Sequence, residues 1–433
     1  MLELLDLRGF TGDLRRALPA PEEPAGPLEA VRAILAAVRS GGDATLRELT
    51  ARFDGVTVDE LRVPADALTA ALGRVPPDLR AALEHAVTAI RGYHEAQAAA
   101  PVDRDRDGVQ TREVVVPVAR AGCYVPGGRG AYPSTVLMTA VPARVAGVPE
   151  VALCVPPGPD GEIATPTLAA AALAGVDEVY RVGGAQAVAA MAYGTETIRP
   201  VDVVVGPGNV YVALAKREVA GHVGTDAPAG PSEVVVVADE RADAELVAAD
   251  LLAQAEHGPG GAAVLVTWHE PLVGAVEAAL ARRLDDAPRR AEIEATLRTG
   301  GRAILVRDAE AALEVANVVA PEHLELLTVD ADALVPLVRN AGAVFCGPWT
   351  PAVIGDYVAG VNHVLPTGRA ARFASALRVD DFRKRVQVVR VDEAALRRLA
   401  PDVTALAAAE GLAEHARAVA LRAEVAPVRE RAS

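Results

Sequence analysis

A carboxylate and an imidazole stand side by side at Glu322 and His323, inside the segment Ala320-Pro-Glu-His-Leu-Glu-Leu326. Both groups move protons, and the LELLTV that follows reads from its alternation as a buried strand. Two proton-transfer groups at the mouth of such a strand suit general acid–base chemistry. The plainer alternative is a Pro-Glu turn followed by a surface histidine. On an alternating strand that begins at His323, its side chain points opposite to Leu324 and Leu326, away from the core those leucines predict.

Histidine is scarce, eight in 433 residues, so its neighbours are informative. In DAELVAADLLAQAEHG, a predicted helix ending at Gly258, Gln254 and His257 are three apart and face one side of the last turn. GDYVAGVNHVLPTG sets Asp356 and His363 in a glycine-rich loop. EGLAEHARAVALRA puts Glu410 at a predicted helix start and His415 on the stripe of Leu412, Ala416 and Val419. Two histidines, a carboxylate and an amide oxygen would suit a borderline divalent ion such as zinc and leave coordination positions for a substrate. Taken singly, each has an ordinary structural role. Gln254 and His257 serve as partners of a helix C-terminus, His415 as a satisfied core histidine, and Asp356 as an Asx turn.

Three glycine-bearing turns could meet a phosphate or nucleotide. RVGGAQAVAAM passes from strand to helix through Gly183-Gly184, and VVVGPGNVYVALAKR through Gly206-Pro-Gly-Asn209. A helix that opens after glycines presents free amides and the positive end of its dipole. Neither turn is GxGxxG, so ordinary strand-to-helix connections are the competing reading. CYVPGGRGAYPSTV places Tyr124, two glycines and Arg129 before a helix, a lip suited to adenine or ribose.

The elements that must hold these groups follow an α/β rhythm. Residues 1–110 are mostly helical in pattern. From Glu113 onward, short valine-rich runs (REVVVPV, EVALCVPP, EVYRVGG, VDVVVGPG) alternate with alanine-rich helical stretches. The rhythm pauses near GTDAPAGP and resumes with SEVVVVAD, AAVLVTW, GRAILVRD and HLELLTVD, which predicts two α/β lobes with mainly parallel sheets and a helical tail from about 390. The 51% hydrophobic and 23% charged residues describe a globular chain, and a net charge of −15 argues against nucleic-acid or anionic-membrane surfaces. The start lacks a signal-peptide pattern, no apolar run spans a membrane, and three cysteines are too few for a disulfide framework. A reducing, cytoplasmic setting is the expectation.

Taken in order, YVPGGRGAYPSTVLM, VGGAQAVAA, GPGNVYV, PAGPSEVVVVAD, QAEHG, APEHLEL, GDYVAGVNHVLPTG and EGLAEHA closely resemble the histidinol dehydrogenase family over almost the whole chain. The resemblance implies an NAD-dependent, zinc-containing homodimer that oxidises L-histidinol by way of L-histidinaldehyde to L-histidine, the last step of histidine biosynthesis. It implies Gln254, His257, Asp356 and His415 as ligands of one zinc ion per subunit, and Glu322 and His323 as the catalytic acid/base pair. Ser232, His363 and Glu410 match substrate-contacting positions, together with Gln254, His257, Glu322, His323, Asp356 and His415. Tyr124, Gln186 and Asn209 match positions that line the NAD site.

The implied fold is two related, incomplete doubly wound Rossmann-like lobes. Residues 117–229 would form the NAD lobe. Residues 23–116 and 230–375 would form a discontinuous substrate and zinc lobe. An arm, 1–22, and a helical segment, 376–433, would flank them, the latter exchanged within the dimer so that Glu410 and His415 complete the neighbouring active site. The absent GxGxxG is shared with the family's nucleotide lobe. Chemically, turning an alcohol into a carboxylate removes two hydrides and adds one water oxygen. A neutral imidazole, His323, suits the alcohol proton, and a carboxylate, Glu322, suits the water that hydrates the aldehyde. Zinc would orient the substrate through its imidazole and amine rather than polarise the reacting oxygen.

Overall fold

The computed structural model describes residues 2–18, 26–97, 100–127, 130–258 and 260–424. The chain divides into two compact units, one of residues 1–97 and 118–382, the other of residues 98–117 and 383–433.

The first unit holds two parallel sheets of one design. In one, the strands run in the order Glu178–Arg181, Glu150–Val155, Arg120–Tyr124, Val203–Val205, Gly224–Thr225. In chain order this is 3-2-1-4-5, the arrangement of a Rossmann half. In the other, the strands Gly301–Leu305, Ala262–Thr267, Glu233–Ala238, His323–Leu327 and Ala343–Cys346 repeat that order, and Glu3–Asp6 adds a parallel edge strand beside Gly301–Leu305. The expected mixed α/β fold with parallel-rich sheets is therefore present. Residues 3–6, inside a region read mainly as helix, form a strand because the sheet edge supplies partners that local pattern cannot reveal.

Parallel strands are buried on both faces, which explains their near-continuous valine runs. Val235, Val237, Leu324 and Leu326 pack towards the helix Ala309–Val319, while Val234, Val236 and Ala238 pack towards the helices Ala244–Ala255 and Glu270–Leu284. In the other sheet, Cys123 and Leu153 face the helices Pro133–Ala146 and Thr165–Ala174. Ala152, Cys154 and Val204 face Gly184–Tyr193 and the long helix Leu28–Asp54. Side chains at alternating positions thus fill two separate cores per sheet.

The second unit is an antiparallel sheet, Arg383–Val391 beside Val109–Pro117 beside Asp103–Arg106, with the helices Glu393–Ala409 and Ala413–Glu424. REVVVPV is therefore an antiparallel strand, not a member of a parallel lobe. Among the described residues, no helix is long and apolar enough to cross a membrane.

Candidate active site

Glu322 and His323 lie at the amino end of one central strand, beside the amino end of its neighbour. Glu233–Ala238 pairs with His323–Leu327, His323 opposite Val234, at the point where the strand order reverses. Ligand sites at such switch points usually lie beyond the carboxyl ends; here Ser232, Glu322 and His323 gather at the other end. The turn leading in is tight. Ala320 ends the preceding helix in the left-handed region at φ 51°, a conformation costing a non-glycine residue about 1–2 kcal/mol. Pro321 follows, and the chain delivers Glu322 buried at the strand mouth.

Glu322 is held by one oxygen. Its Oε2 accepts the Ser232 hydroxyl at 2.5 Å and the backbone N–H of Glu233 at 2.9 Å. Burial pushes its pKa up, while the charge on His323 and these two donors work against that shift. His323 is 3% exposed. Its Nδ1 lies 3.3 Å from the Glu233 carbonyl and 3.6 Å from Glu322 Oε2, and its Nε2 lies 3.6 Å from Asp356 Oδ1. Burial opposes a charge on this ring, but Glu322 and Asp356 outweigh burial and hold its pKa up at about 9. The ring does point opposite to Leu324 and Leu326, as expected. That face is covered too, because a parallel sheet has no solvent side.

Asp356 sits in a short helix, Ala352–Tyr357, rather than in a loop. Burial pushes its carboxyl up, yet His323, then His363 and His257, more than compensate and leave its pKa lowered. His363 lies in the connection beyond that helix. Its Nδ1 meets the Asp356 carbonyl at 3.0 Å and must donate there, so its Nε2 accepts the Thr135 hydroxyl at 3.2 Å. Thr135 belongs to the helix Pro133–Ala146 of the first sheet, so His363 ties the two halves of the unit together beside the site. Burial lowers its pKa, with Asp356 opposing.

Gln254 is the last-turn residue of Ala244–Ala255 and is buried. His257 lies beyond the end of that helix, exposed, in a turn closed by its own N–H to the Gln254 carbonyl at 3.2 Å. The predicted helix end at Gly258 is thus three residues too late. Gln254 Nε2 is buried without a partner, and Gln254 Oε1 stands 3.4 Å from Ser232 Oγ. A hydroxyl has one proton, and the 2.5 Å contact commits that of Ser232 to Glu322. Rotating the amide by a half-turn lets its NH2 donate to Ser232 Oγ and leaves Oε1 free to bind a cation. A carboxylate within electrostatic reach of three imidazoles, with an amide oxygen available nearby, fits a borderline divalent metal.

Glu410 and His415 belong to the second unit. Glu410 caps the end of Glu393–Ala409, not the start of a helix, because Gly411 in the left-handed region (φ 73°) terminates that element. His415 lies in the first turn of Ala413–Glu424, exposed in the single chain and not part of a core. Among the described residues, no group of three or more His, Cys, Asp or Glu side chains is arranged to hold a metal.

The nucleotide candidates lie at carboxyl ends in the other sheet. Tyr124 closes Arg120–Tyr124, and its buried hydroxyl accepts the N–H of Gly184 at 3.1 Å. Gln186, also buried, lies in the first turn of Gly184–Tyr193. Asn209 caps Val210–Val219, its Oδ1 accepting from Tyr211 N at 3.0 Å and Val212 N at 3.2 Å. Between them, Gly206 has φ 119°, and a Cβ there would collide with the Tyr124 carbonyl. The buried Lys216–Asp226 ion pair grips this glycine, with Lys216 Nζ on its carbonyl at 2.9 Å and Asp226 Oδ2 on its N–H at 2.7 Å. Local pattern assigns no role to Lys216, Asp226, Thr135 or Glu233. For Lys216, being one of only two lysines in a chain rich in arginine and alanine was the available signal. Arg129 and its neighbour Gly128 lie outside the described residues.

Such a site can take a proton at His323 or Glu322, hold a polar ligand against Asp356 and Gln254, and seat a nucleotide on the adjoining sheet. The family model described as histidinol dehydrogenase matches residues 22–423. The chain is 51% identical over 419 residues to the histidinol dehydrogenase of Rhizobium meliloti (strain 1021), covering 95% of this chain and 96% of that protein. It is 49% identical over 420 residues to that of Gluconobacter oxydans (strain 621H), covering 96% and 97%. Its fold matches a crystal structure of histidinol dehydrogenase from Elizabethkingia anophelis with a TM-score of 0.93 at 33% identity, covering 97% of this chain and 98% of that one.

Proposed function

Because the chain belongs to the histidinol dehydrogenase family, we propose that the Glu322–His323 cleft oxidises L-histidinol through L-histidinaldehyde to L-histidine, with two NAD reduced per substrate. The observation that carries this reading is the placement of His323 between two carboxylates, Glu322 beside Nδ1 and Asp356 beside Nε2.

His323 accepts the proton of the substrate hydroxyl in the first oxidation. Glu322, with one oxygen occupied by Ser232 and Glu233, keeps Oε1 for the water that adds to the aldehyde. Hydration turns the aldehyde into a second alcohol, so the same imidazole serves the second oxidation. Ser232 fixes the carboxylate, and His363, locked by Thr135 and the Asp356 carbonyl, shapes the substrate wall. Gln254, His257, Asp356 and His415 of the partner subunit would hold one zinc ion, with Glu410 of the partner subunit meeting substrate. Bound zinc supplies an anchor for the substrate's imidazole and amine and cancels the hold of Asp356 on a proton at His323; bound NAD supplies the hydride acceptor.

In this account residues 117–229 carry NAD against Tyr124, Gln186 and Asn209, while 23–116 and 230–375 carry substrate and zinc. The segment 376–433 is exchanged within a homodimer in the cytoplasm, and 1–22 is an arm. Metal depletion tests the reading: chelated protein should produce no NADH from histidinol and recover on zinc addition. Undiminished turnover after complete chelation contradicts it.

A further inference from the structure

The strand that delivers His323 carries a second acid, Glu325, two residues on and therefore on the same face. That face meets the helix Ala244–Ala255, where Asp250 stands one turn before Gln254. Asp250 and Glu325 stand close enough for each to act on the other's protonation. Beneath the Gln254–His323 level of the site there is thus a second polar level, between the same two elements.

Glu325 is 1% exposed. Its Oε1 accepts the N–H of Ala352 at 2.7 Å, and Ala352 is the first residue of the short helix that carries Asp356. Its Oε2 is buried and, with both acids ionised, has no donor. Among the described residues, no arginine or lysine acts on either carboxyl, and His323 is a minor influence on Glu325. A buried carboxylate facing a half-buried one without a cation would leave an uncompensated charge, which proteins avoid. One proton between them removes that charge and gives Oε2 its missing donor. Consistently, burial and then Asp250 push the Glu325 pKa up to about 8, and burial raises that of Asp250.

We propose that Asp250 and Glu325 share a single proton, forming an acid–carboxylate clamp that fixes the Gln254 helix, the His323 strand and the Asp356 helix at the spacing the metal site requires. Both are positioning residues, since neither meets substrate or reacting atoms. The clamp deepens the zinc reading above, but the shared proton does not depend on it.

Infrared spectra of the full-length protein at neutral pH test the proton directly. A protonated-carboxyl band is expected, and Glu325→Gln and Asp250→Asn should each remove it from the difference spectrum. Zinc affinity, measured by chelator competition, tests the positioning. Glu325→Gln still accepts from Ala352 and donates to Asp250, so it keeps the wild-type affinity. Glu325→Leu and Asp250→Ala lose the clamp and should bind zinc about 10- to 100-fold more weakly. Asp250→Ala, at the less buried end, preserves the test if the leucine variant fails to fold. Absence of the band in the wild type, or wild-type zinc affinity in the clamp-deficient variants, overturns the proposal. A protein that shows the band but binds no zinc overturns the metal reading and leaves the shared proton standing.

Discussion

His323 Nε2 lies 3.6 Å from Asp356 Oδ1, so the group proposed to accept the substrate proton and a proposed metal ligand lie in one electrostatic field. Charge on one sets the protonation of the other. With Asp356 unmasked, His323 holds its proton up to about pH 9. A divalent cation on Asp356 reverses that influence, which couples the base form of the imidazole to metal loading.

This coupling has a stability signature in metal-stripped protein. The folded pKa of His323, about 9, lies above the unfolded value near 6.5. The stabilisation is therefore fully present below about pH 6.5 and disappears as pH rises through 9. Glu233, pushed up to about 7 by burial and then Glu322, acts in the same direction at lower pH. Melting temperature should fall between pH 6.5 and 9, and His323→Asn should flatten that fall. The change attributable to His323 is at most about 3 kcal/mol. A melting temperature rising over this range contradicts the assignment.

The two proton acceptors divide the chemistry between them. Glu322→Gln keeps a hydrogen-bonding group at the strand mouth but cannot deprotonate water. Oxidation of supplied histidinaldehyde should drop by about 10²- to 10⁴-fold, whereas reduction of the aldehyde by NADH, which needs no hydration, should suffer far less. Equal losses in stopped-flow assays of both directions refute the division.

The hydroxyl of Tyr124 is the partner of the Gly184 N–H. Tyr124→Phe leaves that amide without an acceptor in the nucleotide turn, a loss of about 1 kcal/mol. The KM for NAD should rise about fivefold while that for histidinol stays put. An unchanged KM for NAD, or a matching rise for histidinol, removes Tyr124 from the cofactor site.

Much of this was legible as letters. The strand at HLELL, the valine runs and the strand-to-helix glycine turns follow from periodicities that the parallel sheets realise. Adjacent acid and base at 322 and 323 needed no geometry to be noticed. Other features were hidden for physical reasons. Glu3–Asp6 becomes a strand only because Gly301–Leu305 offers an edge nearly 300 residues away. Asp356 reads as loop because the helix around it, between Pro351 and Gly360, is too short for a period to appear. Glu325 sat in plain view inside APEHLEL, yet its partner Asp250 is 75 residues distant and faces it only across a helix–strand packing. The end of the Gln254 helix at Ala255 and the capping place of Glu410 were missed because turns at helix termini depend on backbone geometry that pattern resolves poorly.

The most direct test of the central claim is the count of NADH formed per L-histidinol consumed by the purified, zinc-loaded protein in excess NAD. Two NADH, with histidine as product, is the result this account predicts. One NADH, with aldehyde released, contradicts it.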